Sequence, residues 1–300
     1  MRKTTLILFL LLLFPHVTIV AGERTHGAYL RARVSRDKVI QGENLVYEVV
    51  LFTPDPSIEG IELTSLPDFE GMDVRRSAPD NKLTPVEING RPYYTAVVDR
   101  YFLRFPEKGK FRIKGADYRL GFYRQQEYYD PFWGRSIGNV VDAVGLSAPE
   151  VSVRVSALPE RGRPDDFSGA VGDFEIAAEF PDGEIKNGED TLLTVTISGV
   201  GSLEGVLLPN IPAMLPEGLQ FKSMTDNVSH YIKDGELGSE VEIECIVMPK
   251  REGKFVIDSL RFSFYNSFTG KYDTITASSL EIEAGSGLPS SGRPPVIMEI

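Results

Sequence analysis

Apolar and polar residues alternate with period two through most of this chain. The runs LVYEVVLF at 45–52, YYTAVVDRYFLRF at 93–105, APEVSVRVSAL at 148–158, TLLTVTISG at 191–199 and SEVEIECIVM at 239–248 are rich in β-branched and aromatic residues. Gly, Pro, Asn or Asp bound them, as turn residues bound strands. Each run predicts a strand with one face turned to a core. Beyond the first residues no segment carries a convincing amphipathic helical stripe, so the pattern predicts an all-β protein.

The pattern also occurs twice. KVIQGENLVYEVVL, LTSLPDFEGMDV and FLRFPEKGKFRIKGADYRL in the first half answer to EIKNGEDTLLTVTI, LPNIPAMLPEGLQF and IVMPKREGKFVIDSLRFSF in the second. Gly42 pairs with Gly188, Pro67 with Pro212 and Pro106 with Pro249, at offsets that drift by only a few residues. Such self-similarity means one structural unit used twice, with small loop insertions. The expectation is two tandem immunoglobulin-like β-sandwich domains. Gly42 and Gly188 each precede a glutamate and a strand, where a tight turn demands positive φ. PEKGKF and PKREGKF read as hairpin turns whose following Phe111, Ile113, Phe255 and Ile257 point inward.

The boundaries follow from composition. Residues 1–22 open with Arg2 and Lys3, run through apolar Leu6 to Phe14 and reach Ala21 and Gly22, the layout of a secretory signal peptide. The first domain spans 23–158 and includes an aromatic insertion near 118–138; residues 159–172 form a linker; the second domain spans 173–284; residues 285–300 read as a disordered tail. Phe167, Ala170, Val171 and Phe174 suggest that the linker ends by docking on the second domain. No later stretch is long and apolar enough to span a bilayer, so the mature chain is expected to be exported, to the periplasm or cell envelope, without a membrane span.

Charge narrows the partners. Formal charge is near zero over 23–158, −1 over 159–172 and −12 over 173–284. A surface this acidic repels phosphate backbones and argues against nucleic acid. It keeps the protein soluble, and it could also dock a basic partner. Cys245 is the single cysteine, so no internal disulfide holds either module; its place in VEIECIVM puts it on the apolar face of a strand as an inert thiol.

No catalytic constellation can be assembled from these residues. GxSxG, GxxxxGK[ST], HExxH and CxxC are all absent, and His26 and His230 stand in different modules. Asp182, Glu184, Asn187, Glu189 and Asp190 crowd one turn, but they do not meet the EF-hand spacing. No catalytic residue, metal set or cofactor is therefore expected, and the chain reads as non-enzymatic. The candidate site is the aromatic insertion: Tyr123, Tyr128, Tyr129, Phe132 and Trp133 are candidate partner-binding residues, ending in the turn-like DPFWG. They could anchor a protein, stack on a sugar, or cover an open end of the first sandwich.

The linker APEVSVRVSALPERGRPDDFSGAVGDF, the strand region EIKNGEDTLLTVTISGVGSL and the hairpin VMPKREGKFVIDSLRFSFYNSFTGKY resemble the BatD family of the Bacteroides aerotolerance operon, also called the oxygen tolerance family. DPFWGRSIG is similar to a segment at the same place in that family. The resemblance implies an exported adaptor or scaffold linked to oxygen or stress tolerance, acting in the envelope with von Willebrand factor A-type partner proteins. BatD-like proteins commonly continue into a C-terminal membrane helix, whereas this sequence passes into a short polar tail, which reads as a shortened relative without that helix. The rival expectation from another class is a periplasmic or surface carbohydrate-binding β-sandwich module.

Overall fold

The computed structural model describes residues 27–286, and the chain divides into two units between Leu158 and Pro159. The leader read at 1–22 and residues 287–300 of the tail lie outside the described residues. Both units are built from β-strands; among the described residues the single α-helix, α1 (Ile211–Met214), has four residues.

The first unit contains β1 (Tyr29–Val34), β2 (Lys38–Ile40), β3 (Asn44–Thr53), β4 (Ile58–Ser65), β5 (Asp73–Ser77), β6 (Thr84–Ile88), β7 (Arg91–Arg104), β8 (Gly109–Ile113), β9 (Asp117–Asp130), β10 (Gly134–Ser147) and β11 (Val151–Ser156). One sheet has the order β1-β3-β7-β5, with β6 also on β7; two smaller ones run β10-β9-β4 and β2-β11-β8. Leu45, Tyr47, Val49 and Leu51 of β3 meet Tyr101 and Leu103 of β7, Leu120 of β9 and Val153 of β11 in one buried core.

The second unit contains β12 (Phe167–Glu179), β13 (Ile185–Lys186), β14 (Thr191–Ser202), β15 (Leu219–Lys233), β16 (Glu236–Pro249), β17 (Gly253–Ile257), β18 (Arg261–Asn266), β19 (Lys271–Thr276) and β20 (Leu280–Gly285). A six-stranded sheet runs β15-β16-β14-β12-β18-β19, beside a three-stranded β13-β20-β17. Its core gathers Leu193, Val195 and Ile197 of β14 with Val241, Ile243, Cys245 and Val247 of β16 and Phe255, Phe262 and Phe264.

The repeat is a repeat of hydrogen bonds. Glu43 N–H bonds to Ile40 O and Glu189 N–H to Lys186 O, closing the same turn around Gly42 (φ 86°) and Gly188 (φ 81°). Only a residue without Cβ takes that conformation cheaply. The next backbone contacts repeat too: Gln41 N–H reaches Ser156 O and Asn187 N–H reaches Gly285 O, so β2 lies parallel to β11 as β13 does to β20. As the hairpin spacing predicts, Ile113, Phe255 and Ile257 are buried and Phe111 packs against the core from a half-buried position.

Two expectations need correcting. Pro67 and Pro212 are not equivalent: Pro67 is buried, whereas Pro212 lies in α1 and is exposed. The turn that does repeat centres on Gly71 and Gly218, where Met72 N–H bonds to Phe69 O and Leu219 N–H to Pro216 O. The stretch read as linker to residue 172 also enters the second unit early, because β12 starts at Phe167 with Ala170 and Val171 buried. Gly169 and Gly172 interrupt the alternation there and hide the strand.

A buried polar knot marks the first unit. The β3–β7 ladder shifts register between Val49 and Val50, and Asp99 comes to rest fully buried beside Tyr101. Its carboxylate accepts hydrogen bonds from Arg76 Nε at 2.8 Å, Tyr118 hydroxyl at 2.9 Å and Tyr101 hydroxyl at 3.2 Å. Burial, and after it the charge of Asp99, pushes the Tyr101 phenol up to about 12 and raises Tyr118 as well. In the unfolded chain a tyrosine ionises near pH 10, so these raised phenols favour folding fully below about pH 10 and progressively less above it. Urea titrations should therefore show the first unit losing stability as pH climbs from about 10 toward 12. Tyr118→Phe should flatten that slope while lowering stability at pH 7 by about 1 kcal/mol for the lost hydrogen bond.

Candidate functional site

The aromatic insertion is a hairpin whose two strands outrun their neighbours. β9 and β10 pair residue for residue from Asp117–Ser147 out to Asp130–Gly134. β4 accompanies β9 only as far as Phe122. Beyond that point the ribbon is two-stranded, with Tyr123 to Tyr129 of β9 exposed and alternate residues of β10 exposed and half-buried. The aromatic run therefore splits by position: Tyr118 and Phe122 enter the core, whereas Tyr123, Tyr128 and Tyr129 lie along the exposed ribbon. Phe132 is 92% and Trp133 85% exposed at its tip. The five candidate residues thus share one projecting element, and none of them covers the end of the first sandwich.

Local chemistry keeps the ribbon in shape. Asp130 Oδ1 accepts the backbone N–H of Phe132 at 2.8 Å and of Trp133 at 2.9 Å, an Asx turn that presents both rings from a fixed backbone. Arg124 and Asp142 pair across the strands at 2.6 Å. Tyr128 lies over Gly138, where an added Cβ would come within 3.0 Å of the ring.

The second unit carries a shorter version of the same tip, which the repeat in the sequence did not reveal. Between β18 and β19, Asn266 Oδ1 accepts the N–H groups of Phe268 and Thr269 at 3.0 Å each. Asp130, Phe132, Trp133 and Gly134 answer to Asn266, Phe268, Thr269 and Gly270, and both glycines have positive φ. Phe268 is 61% exposed, so it joins the candidate residues. Its strands have six residues each against fourteen for β9 and β10, and this shortening breaks the regular offset.

Charge separates the units further. In the first, several charges are paired across strands: the buried Glu48 is held by Arg33 at 2.6 Å and by Arg100 at 2.7 Å across β1, β3 and β7, and Arg104 meets Asp73. In the second, Glu240, Glu242 and Glu244 stand in a row on β16. They face Ser198, Thr196 and Thr194 on β14 and Ser229, Asn227 and Thr225 on β15. Glu175 and Glu179 of β12 extend the row beyond β14. No lysine or arginine lies among those cross-strand partners. Five of the carboxylates behind the excess counted in the sequence thus share one hydroxyl-lined sheet face.

Other features offer little chemistry. A groove of about 540 Å³ in the second unit is lined by Leu208, Pro209, Met214 and Phe262, and at its polar end Asp166 is already engaged by Arg261 at 3.0 Å and Ser263 at 2.9 Å. Among the described residues no group of three His, Cys, Asp or Glu side chains is placed to hold a metal ion. His230 Nε2 sits 3.8 Å from Glu204, and His26 lies outside the described residues. Cys245 is fully buried, and burial pushes its thiol up to about 11. No helix among the described residues is long and apolar enough to cross a membrane.

Residues 178–284 match the family model of the BatD DUF11 like domain. The second unit is a BatD-family domain. The match covers β13 to β20 almost completely and starts inside β12. No curated protein matches the chain. Among solved structures, the C-terminal domain of the AgI/II polypeptide BspA from Streptococcus agalactiae is similar at 7% identity over 85% of this chain and 100% of that one, with a TM-score of 0.22. An endo-fucoidan hydrolase of glycoside hydrolase family 107 is similar at 8% identity over 83% of this chain and 35% of that one, with a TM-score of 0.16. Superpositions this loose carry no functional weight, and the BatD match stands by itself.

Two outcomes follow from this geometry. A thiol reagent at pH 8 should leave Cys245 unmodified in the native protein and label one thiol per chain after denaturation. The double substitution Phe132→Ala and Trp133→Ala should change the unfolding free energy from denaturant titration by no more than about 0.5 kcal/mol, the usual range for exposed sites; a large loss would mean that the rings are structural.

Proposed function

We propose that this chain is an exported, non-enzymatic adaptor of the cell envelope that binds von Willebrand factor A-type partner proteins through its aromatic hairpin. The observation that carries the reading is the exposed ribbon itself: Phe132 and Trp133 are held by an Asx turn at its tip, with Tyr128 and Tyr129 behind them. Aromatic side chains of this kind are the usual anchors of protein interfaces, because they bury large area for few rotatable bonds. Burying them in a partner would remove apolar surface that now faces water. The BatD-family domain supports the envelope setting, and its resemblance to the aerotolerance proteins supplies the partner class.

The carboxylate face of the second unit would add steering. Glu240, Glu242 and Glu244 form a field that attracts a basic surface over roughly the Debye length, about 10 Å at 0.1 M salt. Such a field speeds encounter more than it tightens the final complex.

The test is calorimetric titration of the mature protein with a purified von Willebrand factor A-type ectodomain from the same envelope. Binding is expected, with the Phe132→Ala and Trp133→Ala pair weakening it at least about 30-fold, the scale of a hot-spot loss near 2 kcal/mol. Phe268→Ala, on the shorter hairpin, should weaken it less. Changing Glu240, Glu242 and Glu244 to Gln should slow association at low salt and leave dissociation nearly unchanged. Undiminished affinity in the tip variant would overturn the hairpin as anchor. Binding to glycans in place of the ectodomain would move the reading to a carbohydrate-binding module.

A further inference from the structure

The outer edge of β10 is unusual among the long edges of this protein. β10 runs for fourteen residues and has β9 as its one sheet neighbour. Sheet edges are ordinarily blunted by bulges, prolines, lysines or short length, because a free row of N–H and C=O groups is a template for another strand. Four other edges carry such devices, and the β1 edge is short at six residues. β4, at the far side of the same sheet, shifts register twice against β9. β6 contains Pro85. β15 has an irregularity at Lys222 and ends in Lys233, and β19 begins at Lys271 and has six residues. β10 has no proline, no lysine and an unbroken register along its whole length. Its outer positions Ile137 and Val141 are 64% and 49% exposed.

We propose that two copies of this chain pair through their β10 edges, antiparallel and about a two-fold axis at Asn139. The sequence of β10 is self-complementary in that register. In an antiparallel pair, directly opposed side chains share a face, so a two-fold axis requires opposed residues of the same parity. With Asn139 opposite its own copy, Ile137 falls opposite Val141 on each side of the axis, and Val140 opposite Gly138. The two charged residues of β10, Arg135 and Asp142, fall opposite Ala143 and Ser136, so no charge meets its own kind. At the turn, Trp133 falls opposite Gly145 and Phe132 opposite Leu146 of the second copy, whose side chain is buried in its own core. Each ribbon then gains a third strand, and the exposed Tyr123, Ile137 and Val141 of both copies form one continuous apolar band. The two-fold contact is closed: it produces a six-stranded sheet ending in the interrupted β4 edges, and not a fibre.

This inference goes beyond the adaptor reading, and its test involves no other protein. Sedimentation equilibrium on the mature chain should show a reversible monomer–dimer association at micromolar concentrations. Asn139 is exposed, so Asn139→Lys and Asn139→Asp should fold normally. Each places like charges against each other at the axis, and each should be monomeric where the wild type is dimeric. An equimolar mixture of the two variants should regain the dimer, since lysine then faces aspartate. Three results would overturn the proposal: a wild type that stays monomeric, which would leave the edge to a strand of another protein; a dimer that survives both substitutions; or a mixture that does not reassociate.

Discussion

Each unit depends on one long ladder between interior strands, β3 with β7 and β14 with β16. These ladders carry many of the large fully buried side chains, among them Tyr47, Leu45, Leu103, Leu193 and Ile197. No disulfide supports them, because Cys245 is the one cysteine and it is itself a core residue of β16. Everything peripheral is placed relative to these ladders: the Gly42 and Gly188 turns lead into them, and the Asp99 knot sits on a register shift within one of them. With the scaffold secured by packing, the hairpins at its margin could diverge without disturbing the core.

That divergence is where the two copies part. One unit carries ion pairs across neighbouring strands, with the buried Glu48 between Arg33 and Arg100, and has extended its β9–β10 hairpin into solvent. The other has kept the hairpin short and left its sheet face lined with carboxylates beside hydroxyls. Cross-strand ion pairs contribute only a few tenths to about 1 kcal/mol each, so neither choice decides stability. They decide what each surface attracts. In the adaptor reading proposed above, a neutral unit with exposed aromatic rings and an acidic unit with a long-range field would divide recognition between contact and steering.

How much of this was legible in the sequence depends on the range of the interaction concerned. Alternation fixed the central strands and the inward places of Ile113, Cys245 and Phe255, because period two reports burial directly. Glycines at fixed offsets gave the repeated turns, because positive φ leaves few residue choices. The aromatic cluster was visible by composition, and all five candidate residues prove to share one exposed ribbon. The start of β12 was not visible, because Gly169 and Gly172 break the pattern of a strand whose burial comes from tertiary packing. Phe268 was missed for a related reason: a tip reading Asn-Ser-Phe-Thr-Gly declares its kinship to Asp-Pro-Phe-Trp-Gly only when both Asx turns are seen to make the same hydrogen bonds.

The physical difficulty of the long hairpin explains its details. An isolated two-stranded ribbon is marginal in water, and beyond Phe122 this one lacks a third strand. Left to local propensity it would fray, and its rings would lose any fixed presentation. The Arg124–Asp142 pair, Tyr128 resting on Gly138, and the Asp130 carboxylate locking the turn all oppose fraying from within the ribbon. These contacts are exposed, so together they contribute modestly. They reduce the entropy that a binding partner would have to remove, which is how preorganisation raises affinity. A ribbon that is ordered enough to present its anchors, yet short of one strand, is better suited to completing its sheet with another chain than to standing alone.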